Sequence, residues 1–432
     1  MKRPPRRIND ITPEETTLPF KAFISHVFAT LSHLKISKNS NSSSLINLID
    51  TCATTCLITL NFLLIISEAM DVKNSYDLPS FAVRLNPILF HCQGFIKWTY
   101  CLTHYVEIQE IIDSMEICHE MCQKIDRNDK GTSRYEIKMA DCQKNSVAFV
   151  NVWMMVCVFG VVQWCANPII YDLYDDLYGV KNINSTFTRH LPYPGIFPWA
   201  VNGFKMYLIT FTFQFVGGIG AGIGIGAYDI LSITFIMYTC SYLEYLNETL
   251  TKEIVNRRDD PAKIGSFERK LKICFRQHRQ ILEAFERIQI ITSFPMFIQC
   301  FNTIIALCLV SLEASTTEIN SSVECVMKLL STAEYWSGIN IELFFYCYFG
   351  TKIQELGSRL SDAFYCCNWE LITGDYESNR LGINKMVVLG IMRAQRPMEM
   401  AGGPFYILSL ETFRALISLS LSNAIILRQL SN

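Results

Sequence analysis

Residues 145–171 read NSVAFVNVWMMVCVFGVVQWCANPIIY, a run of 27 residues without a charged side chain. About 20 apolar residues in a helix are enough to span the hydrocarbon core of a bilayer. Residues 206–228 and 288–312 form two further uncharged runs, of 23 and 25 residues. These runs indicate an integral membrane protein and argue against a soluble globular enzyme.

The composition of the whole chain agrees with a membrane protein. Of its 432 residues, 50% are hydrophobic and 18% are charged, compared with about 25% charged residues in soluble proteins. The 17 cysteines are odd in number and scattered through the apolar runs, so we interpret most of them as packing residues. The first 45 or so residues are polar and basic, without a secretory signal pattern. We therefore expect the first spanning helix to act as its own insertion signal.

The apolar segments predict an all-α membrane protein with seven transmembrane helices. The predicted spans are about 45–69, 81–106, 147–171, 202–246, 288–312, 325–349 and 405–428. The fourth is too long for one crossing and should project beyond the bilayer. Pro397 and the Gly402-Gly403-Pro404 triplet interrupt the C-terminal region. The last helix is therefore expected to be split into a part at about 380–396 and the final span.

The distribution of basic residues predicts the orientation of these helices. If the N-terminus is cytoplasmic, 29 of the 38 Lys and Arg residues lie on the cytoplasmic side, as the positive-inside rule requires. The C-terminus is then extracellular. The glycosylation sequons at Asn184 and Asn320 fall in predicted outer loops and are the expected acceptor sites, whereas Asn41 and Asn247 would be cytoplasmic.

Two alternatives to a channel remain open at this point. A metabotropic, G-protein-linked receptor also has seven helices, and residues 167–171 match its NPxxY pattern. The pattern lies at the end of the third span, however, where Asn167-Pro168 reads as a helix stop, and the predicted orientation is opposite to that class. A secondary transporter is less favoured, because the two halves of the chain show no internal repeat.

The C-terminal third resembles the insect odorant receptor family, which is related to the insect gustatory receptors. The matching motifs are Tyr346-x-x-x-Gly350, Leu360-Ser361-x-Ala363-x-Tyr365-x-x-x-Trp369, Met392-Arg393-Ala394-Gln395-Arg396-Pro397, Ala401-Gly402 and Leu408-Ser409-Leu410-x-Thr412-Phe413. About 90 residues match well, and the rest of the chain matches in the number and orientation of its spans. The resemblance extends more loosely to Tyr193-Pro194, Trp199 and Asp229.

The resemblance implies an odorant-binding subunit of a ligand-gated, non-selective cation channel. Members of the family form tetramers, usually of a tuned receptor with the shared co-receptor Orco, in the plasma membrane of sensory neuron dendrites. The last helix is then expected to line the pore, with Ile426 and Leu430 at the apolar gate and Gln429 at a polar constriction. Arg428 departs from the family pattern, and a ring of four arginines would repel cations. This departure, together with a chain shorter than that of the co-receptor, indicates a tuned subunit.

The resemblance also divides the chain into four regions. These are a cytoplasmic N-terminal segment (1–44), transmembrane helices one to six with a ligand pocket in their outer half and long cytoplasmic extensions (45–349), a cytoplasmic anchor region (350–398), and the pore-lining seventh helix with the extracellular C-terminus (399–432).

A volatile, mostly apolar odorant needs a pocket that removes its carbon surface from water. The family places this pocket among the second, third, fourth and sixth spans. The candidate ligand-binding residues on those spans are Ile88, His91, Cys92, Phe95, Gly160, Trp164, Phe211, Phe215, Thr332 and Tyr335. Each of them would otherwise serve in helix packing.

Other patterns in the sequence do not indicate catalysis. Cys118, His119 and Cys122 lack a second ligand pair for zinc, and no catalytic residue, metal site, cofactor or nucleic-acid partner is expected. The glycine run at 217–226 lies inside an apolar span, where glycines either permit close helix packing or form a cavity wall.

Charged residues within the predicted spans suggest structural ion pairs or an influence on ion conduction. Glu334 and Glu342 are eight residues apart on the sixth span, and Glu411 and Arg414 are three apart on the last helix. Lys97 is expected to pair with one of these acids or to reach the cytoplasmic interface. Membrane lipid is the remaining expected partner.

Overall fold

A computed structural model describes residues 18–34, 44–127, 134–178, 189–252, 261–316, 323–367, 369 and 377–431. Within these residues the chain forms eleven α-helices and one short hairpin. The helices are α1 (Phe20–Phe23), α2 (Ser25–Ser32), α3 (Ser44–Asp71), α4 (Leu78–Thr103), α5 (Tyr105–Arg127), α6 (Arg134–Tyr178), α7 (Phe204–Lys252), α8 (Pro261–Thr316), α9 (Val323–Tyr365), α10 (Glu377–Ala394) and α11 (Leu410–Ser431). A 3₁₀ turn, Val72–Asn74, follows α3. The hairpin pairs β1 (Ala401–Gly402) with β2 (Tyr406–Ile407) in antiparallel register.

The seven predicted spans correspond to the long helices α3, α4, α6, α7, α8, α9 and α11. Within the described residues, five of these are long and apolar enough to cross a membrane by length and composition: α3, α6, α7, α8 and α11. The other two, α4 and α9, carry polar side chains that the bundle buries, such as Lys97 and Glu342. Their low hydropathy therefore comes from residues that face the protein interior rather than lipid.

Four of the helices are much longer than the thickness of a bilayer. Helices α6, α7, α8 and α9 contain 45, 49, 56 and 43 residues, or about 65 to 85 Å at 1.5 Å per residue. The hydrocarbon core measures only about 30 Å. The predicted excess length of the fourth span is thus confirmed, and the third, fifth and sixth spans share it.

Two predicted boundaries were wrong. The second span does not continue to residue 106, because α4 ends at Thr103 and α5 begins at Tyr105. The final helix begins at Leu410 rather than near residue 405, because residues 401–407 form the hairpin. Its turn contains Gly403 with φ 66°, a left-handed conformation that glycine adopts without strain. The predicted separation between α10 and the final span is confirmed.

The glycine run of α7 places this helix at the centre of the bundle. Gly218 and Gly222 face α6, where a Cβ atom would lie within 3.2 Å of Val161. Gly224 faces α4, and its Cβ would lie only 2.5 Å from the carbonyl oxygen of Gly94. Because no side chain separates them, α4 and α7 touch through their backbones. The packing interpretation of this run is therefore confirmed.

Between residues 152 and 173 of α6, all exposed side chains are apolar. On α6 these exposed side chains are Val152, Met155, Val156, Phe159, Val162, Ile169, Ile170 and Leu173. A continuous apolar surface of this kind suits contact with lipid chains. All 17 cysteines lie in the described part of the chain as free thiols, and most are buried.

Candidate ligand cavity and buried polar network

A cavity of about 130 Å³ lies between α4, α6 and α9, closed on one side by the segment that precedes α7. Five aromatic side chains dominate its wall, namely Phe90, Trp153, Trp164, Tyr193 and Tyr335. An engineered apolar cavity of about 150 Å³ in another protein binds benzene. The cavity therefore has room for a compact ligand built around a single ring.

The aromatic wall is held in place by hydrogen bonds to backbone atoms. Trp164 Nε1 donates to the Pro192 carbonyl oxygen at 3.1 Å, and its ring stacks on Tyr193 with 13° between the planes. Tyr193 is fixed in turn by Gln214, whose Nε2 donates to the Tyr193 carbonyl oxygen at 2.7 Å. The segment that carries Pro192 and Tyr193 thus forms a rigid cover over the cavity.

Small residues create the open space inside this wall. Gly338 of α9 has no atom within 4 Å of the position a Cβ would occupy. Gly160 of α6 has only the Glu334 carboxylate nearby, with Oε1 at 3.3 Å from that position. Larger residues at these two positions would project into the cavity, so the glycines set its volume.

A buried polar network begins where the cavity ends. Glu342 and Trp153 belong to both structures, because they line the cavity and also contact the network. Lys97 is at its centre, 1% exposed, with Nζ 2.7 Å from Asp229 Oδ1 and in direct contact with the Glu342 carboxylate. Tyr346 donates its hydroxyl hydrogen to Asp229 Oδ1 at 2.7 Å, and Trp153 Nε1 donates to Oδ2 at 3.2 Å.

The network continues through amide side chains to α8. Gln93 Nε2 donates to Glu342 Oε1 at 2.7 Å and to Gln299 Oε1 at 2.6 Å, and Asn302 donates to Gln93 Oε1. One ammonium group and two carboxylates are therefore buried together with hydrogen bonds from five helices, α4, α6, α7, α8 and α9. Such groups are stable in an apolar interior only when they are paired. The pairing predicted for Lys97 is confirmed, with Asp229 as the partner that the sequence did not single out for this role.

The structure brings together three of the ten predicted ligand-binding residues. Gly160, Trp164 and Tyr335 line the cavity. The other seven lie outside its wall: Ile88, His91, Cys92, Phe95, Phe211, Phe215 and Thr332.

The seven residues outside the wall take part in helix packing or local bonding. His91 is buried and its Nδ1 lies 3.0 Å from Glu68 Oε2. Phe95 packs against Phe62 of α3, with ring centroids 5.3 Å apart. Phe211 and Phe215 join an aromatic cluster between α3, α6 and α7, and Thr332 donates to the carbonyl oxygen of residue 328.

The cavity-lining residues that were not predicted from the sequence follow a helical repeat on α6 and α9. The α6 wall is formed by Trp153, Cys157, Gly160 and Trp164, and the α9 wall includes Ser331, Tyr335, Gly338 and Glu342. Both sets follow the spacing i, i+4, i+7, i+11, which places them on one helical face. Extending the Gly160 and Trp164 pair by this spacing finds Trp153, and the same step from Tyr335 finds Gly338 and excludes Thr332.

Two of the three predicted pore residues, Ile426 and Gln429, lie on the exposed side of α11. Ile426 is 53% exposed, Gln429 is exposed, and the side chain of Leu430 lies outside the described part of the structure. The opposite side packs on the bundle, where Leu416, Ser420 and Ala424 are buried. Within the described residues, no ion pair joins Glu411 to Arg414; both are exposed. Asn184 and Asn320 lie outside the described residues.

Comparison with known proteins finds a family match over most of the chain. Residues 78–421 match the family described as 7tm Odorant receptor. Odorant receptor 67c of Drosophila melanogaster is 23% identical over 84% of this chain and 84% of its own length, and odorant receptor 13a of the same species is 22% identical over 67% and 68%.

The fold has also been seen in a solved structure. The olfactory receptor OR5 of Machilis hrabei superposes with a TM-score of 0.72 over 95% of this chain and 98% of its own, at 13% sequence identity. Its complex with eugenol gives a TM-score of 0.71. The long helices of the bundle therefore have the seven-transmembrane topology of an insect olfactory receptor, and the chain belongs to the odorant receptor family.

Proposed function

We propose that this chain is the odorant-binding subunit of a ligand-gated, non-selective cation channel that assembles with Orco as a heterotetramer. The proposal places it in the plasma membrane of sensory neuron dendrites, with a cytoplasmic N-terminus. The observation that carries it is the exposed side of α11. The polar residues on that side are Glu411, Arg414, Ser418, Ser422, Arg428 and Gln429.

Exposed polar residues on a spanning helix do not suit contact with lipid. The middle of α6 shows the contrast, because every exposed side chain between residues 152 and 173, such as Met155 and Phe159, is apolar. The exposed side of α11 is better matched to other subunits and to water. In this arrangement Ile426 and Leu430 form the gate and Gln429 the constriction. Arg428 is compatible with cation flow when a mixed tetramer contains fewer than four copies of it.

Helix α9 connects the cavity to α11. Glu342 of α9 lines the cavity, and two residues later Phe344 packs edge-on against Phe413 of α11, with ring centroids 5.7 Å apart. A ligand that shifts α9 would therefore displace the α11 helix directly. This supports a gating mechanism in which ligand binding between α4, α6 and α9 widens the pore.

The test is to express the chain with and without Orco and to record currents in response to a panel of volatiles during G-protein blockade. We expect ligand-dependent cation currents that persist under the blockade and require co-expression. Loss of the currents under blockade would contradict the proposal and favour a metabotropic receptor. Ligand-driven uptake of a solute without channel currents would favour a transporter.

A cysteine substitution tests the position of α11 more directly. We expect a charged, water-soluble thiol reagent to reduce the current of Ser422→Cys, because Ser422 lies on the exposed polar side of α11. The matched control is Phe159→Cys on the apolar surface of α6, and the unmodified receptor measures the background from native cysteines. Equal modification of both variants would place α11 away from the aqueous pathway.

Glycosylation tests the proposed orientation. We expect a mobility shift on deglycosylation that is lost when Asn184 and Asn320 are both replaced by Gln. Asn247 is the internal control, because its Nδ2 donates to the Leu356 carbonyl oxygen at 3.0 Å and is not available for a glycan. A shift that depends on Asn247 would contradict a cytoplasmic location for that end of α7.

A further inference from the structure

On the cavity wall, three hydrogen-bond donors are already used within the protein, whereas two acceptors are unused. The donors of Trp153, Trp164 and Tyr335 are all used within the protein, since they bond to Asp229, Pro192 and Asn86 respectively. Two acceptors have no such use. The Glu334 carboxylate has no hydrogen-bond or ion-pair partner among the described residues, and Asn86 Oδ1 is buried without one.

Asn86 is an independent indication of a missing donor. The residue is 3% exposed, and it lines the cavity from α4. Its amide nitrogen donates to Glu313 Oε2 at 3.5 Å, which leaves the oxygen as an unpaired acceptor. A buried polar atom without a partner is costly. A ligand that brings a donor into the cavity would remove this cost.

The unpaired Glu334 carboxylate indicates which kind of donor the ligand should carry. Glu342 is paired with Lys97, whereas the half-buried Glu334 has no ion-pair partner among the described residues and lies beside Gly160, whose missing side chain leaves the carboxylate open to approach. Hydrogen bonds between an ammonium group and a carboxylate are stronger than those between neutral groups. The faces of Trp153, Trp164 and Phe90 also attract a cation within about 6 Å.

We infer that the cavity selects a small ligand with one ring and a protonated primary amine, held by the Glu334 carboxylate and Asn86 Oδ1 while the ring occupies the aromatic wall. This inference rests on the proposed odorant-binding function and specifies its ligand class. The cavity volume of about 130 Å³ limits the apolar part to about the size of one ring. Neutral donors such as alcohols should bind more weakly, and hydrocarbons without a donor most weakly of all.

The experiment compares benzylamine, benzyl alcohol and toluene, which share a ring and a first carbon but differ in the polar group. Binding to the purified full-length chain is measured by quenching of tryptophan fluorescence, and currents are measured in cells that also express Orco. We expect affinity to fall in the order given. Glu334→Gln should weaken benzylamine roughly tenfold or more and leave toluene unchanged.

Two variants keep this test informative. Glu334→Asp retains the charge and should preserve most of the preference for benzylamine over toluene, which a merely structural role of the side chain would not do. Glu107→Gln removes one acid from the exposed surface of α5 and should change neither ligand. If Glu334→Gln does not fold, the preference of the native chain for benzylamine over benzyl alcohol still tests whether the site selects a charged ligand.

The outcomes separate this inference from the proposed function. Equal affinity for benzylamine and toluene, or a benzylamine affinity that Glu334→Gln leaves unchanged, overturns the inference even when other volatiles gate currents. Selective benzylamine binding that requires Glu334 supports it. If that binding occurs but no volatile gates a current, the inference about the site stands and the channel function fails.

Discussion

Two polar regions lie side by side between α4, α6 and α9. One is closed, because side chains fill the space around it, and the other is open, because it faces the cavity. Around Lys97, the charged groups are packed among Trp153, Tyr228 and Tyr346 and hydrogen-bonded within the protein. About two to three helical turns away, Glu334 and Asn86 line the cavity. The same helices build both regions, so the difference comes from residue size. Large aromatic residues fill the network, whereas Gly160 and Gly338 leave room for a ligand.

The largest effect is expected from Lys97→Met, which breaks the closed region. Removal of the ammonium group leaves Asp229 and Glu342 buried without their counter-charge. Breaking a buried ion pair in this way costs about 3–5 kcal/mol. We expect a severe loss of monodisperse receptor after detergent extraction, measured by fluorescence-detected size-exclusion chromatography with a thermal ramp.

Two control variants are needed to interpret the effect of Lys97→Met. Lys73→Met removes a lysine from the exposed 3₁₀ turn and should leave the melting temperature unchanged. Lys97→Met combined with Glu342→Gln should be less harmful than Lys97→Met alone, because one of the two uncompensated carboxylates is neutralised. A native melting temperature for Lys97→Met would show that the closed network does not stabilise the fold.

A smaller loss is expected from Gly94→Ala, at the backbone contact that closes the network. The new Cβ would lie 2.4 Å from the Ala221 carbonyl oxygen, and a backbone atom cannot move aside as a flexible side chain can. The helices α4 and α7 must therefore separate, at a cost of about 1–3 kcal/mol. The melting temperature of the purified receptor measures this loss, and an unchanged value would mean that the two helices do not touch there.

The matched substitution on the open side, Gly338→Ala, should have the opposite sign. Nothing lies within 4 Å of its Cβ position, and alanine favours a helix over glycine by up to about 1 kcal/mol. We expect a small rise in the melting temperature together with a weaker response to the bulkiest active volatiles, because the methyl group reduces the cavity. A loss of stability like that of Gly94→Ala would argue against the open space.

The smallest effect is expected from Tyr335→Phe. The Tyr335 hydroxyl donates to the Asn86 carbonyl oxygen at 3.4 Å, which is long for a hydrogen bond, so its removal should cost about 0.5 kcal/mol or less. The ring stays in the cavity wall, and the ranking of ligands by affinity should be retained. A reordered ranking would assign the hydroxyl group a direct role in ligand contact.

The candidate site was only partly accessible from the sequence. Gly160 and Trp164 were found because a small residue one turn from a large one suggested a cavity. Trp153 was missed, although the same helical repeat extended from this pair reaches it. His91 and Phe95 were equally plausible by residue type, yet the rotation of α4 turns them toward α3, where His91 meets Glu68 and Phe95 meets Phe62. Periodicity groups the residues of one face, but it does not say which neighbour that face meets.

The uncharged runs and their lengths determined by themselves that this is a membrane protein with seven spans, and the C-terminal motifs indicated its family. Both properties can be recognised from residues that are close together in the sequence. A span depends on consecutive apolar side chains, and a motif depends on a few residues at short spacings. The partners of Lys97 were decided by the tertiary structure, since Asp229 and Glu342 lie 132 and 245 residues away along the chain. The cavity was decided in the same way, because it exists only where the faces of three helices meet across two glycines.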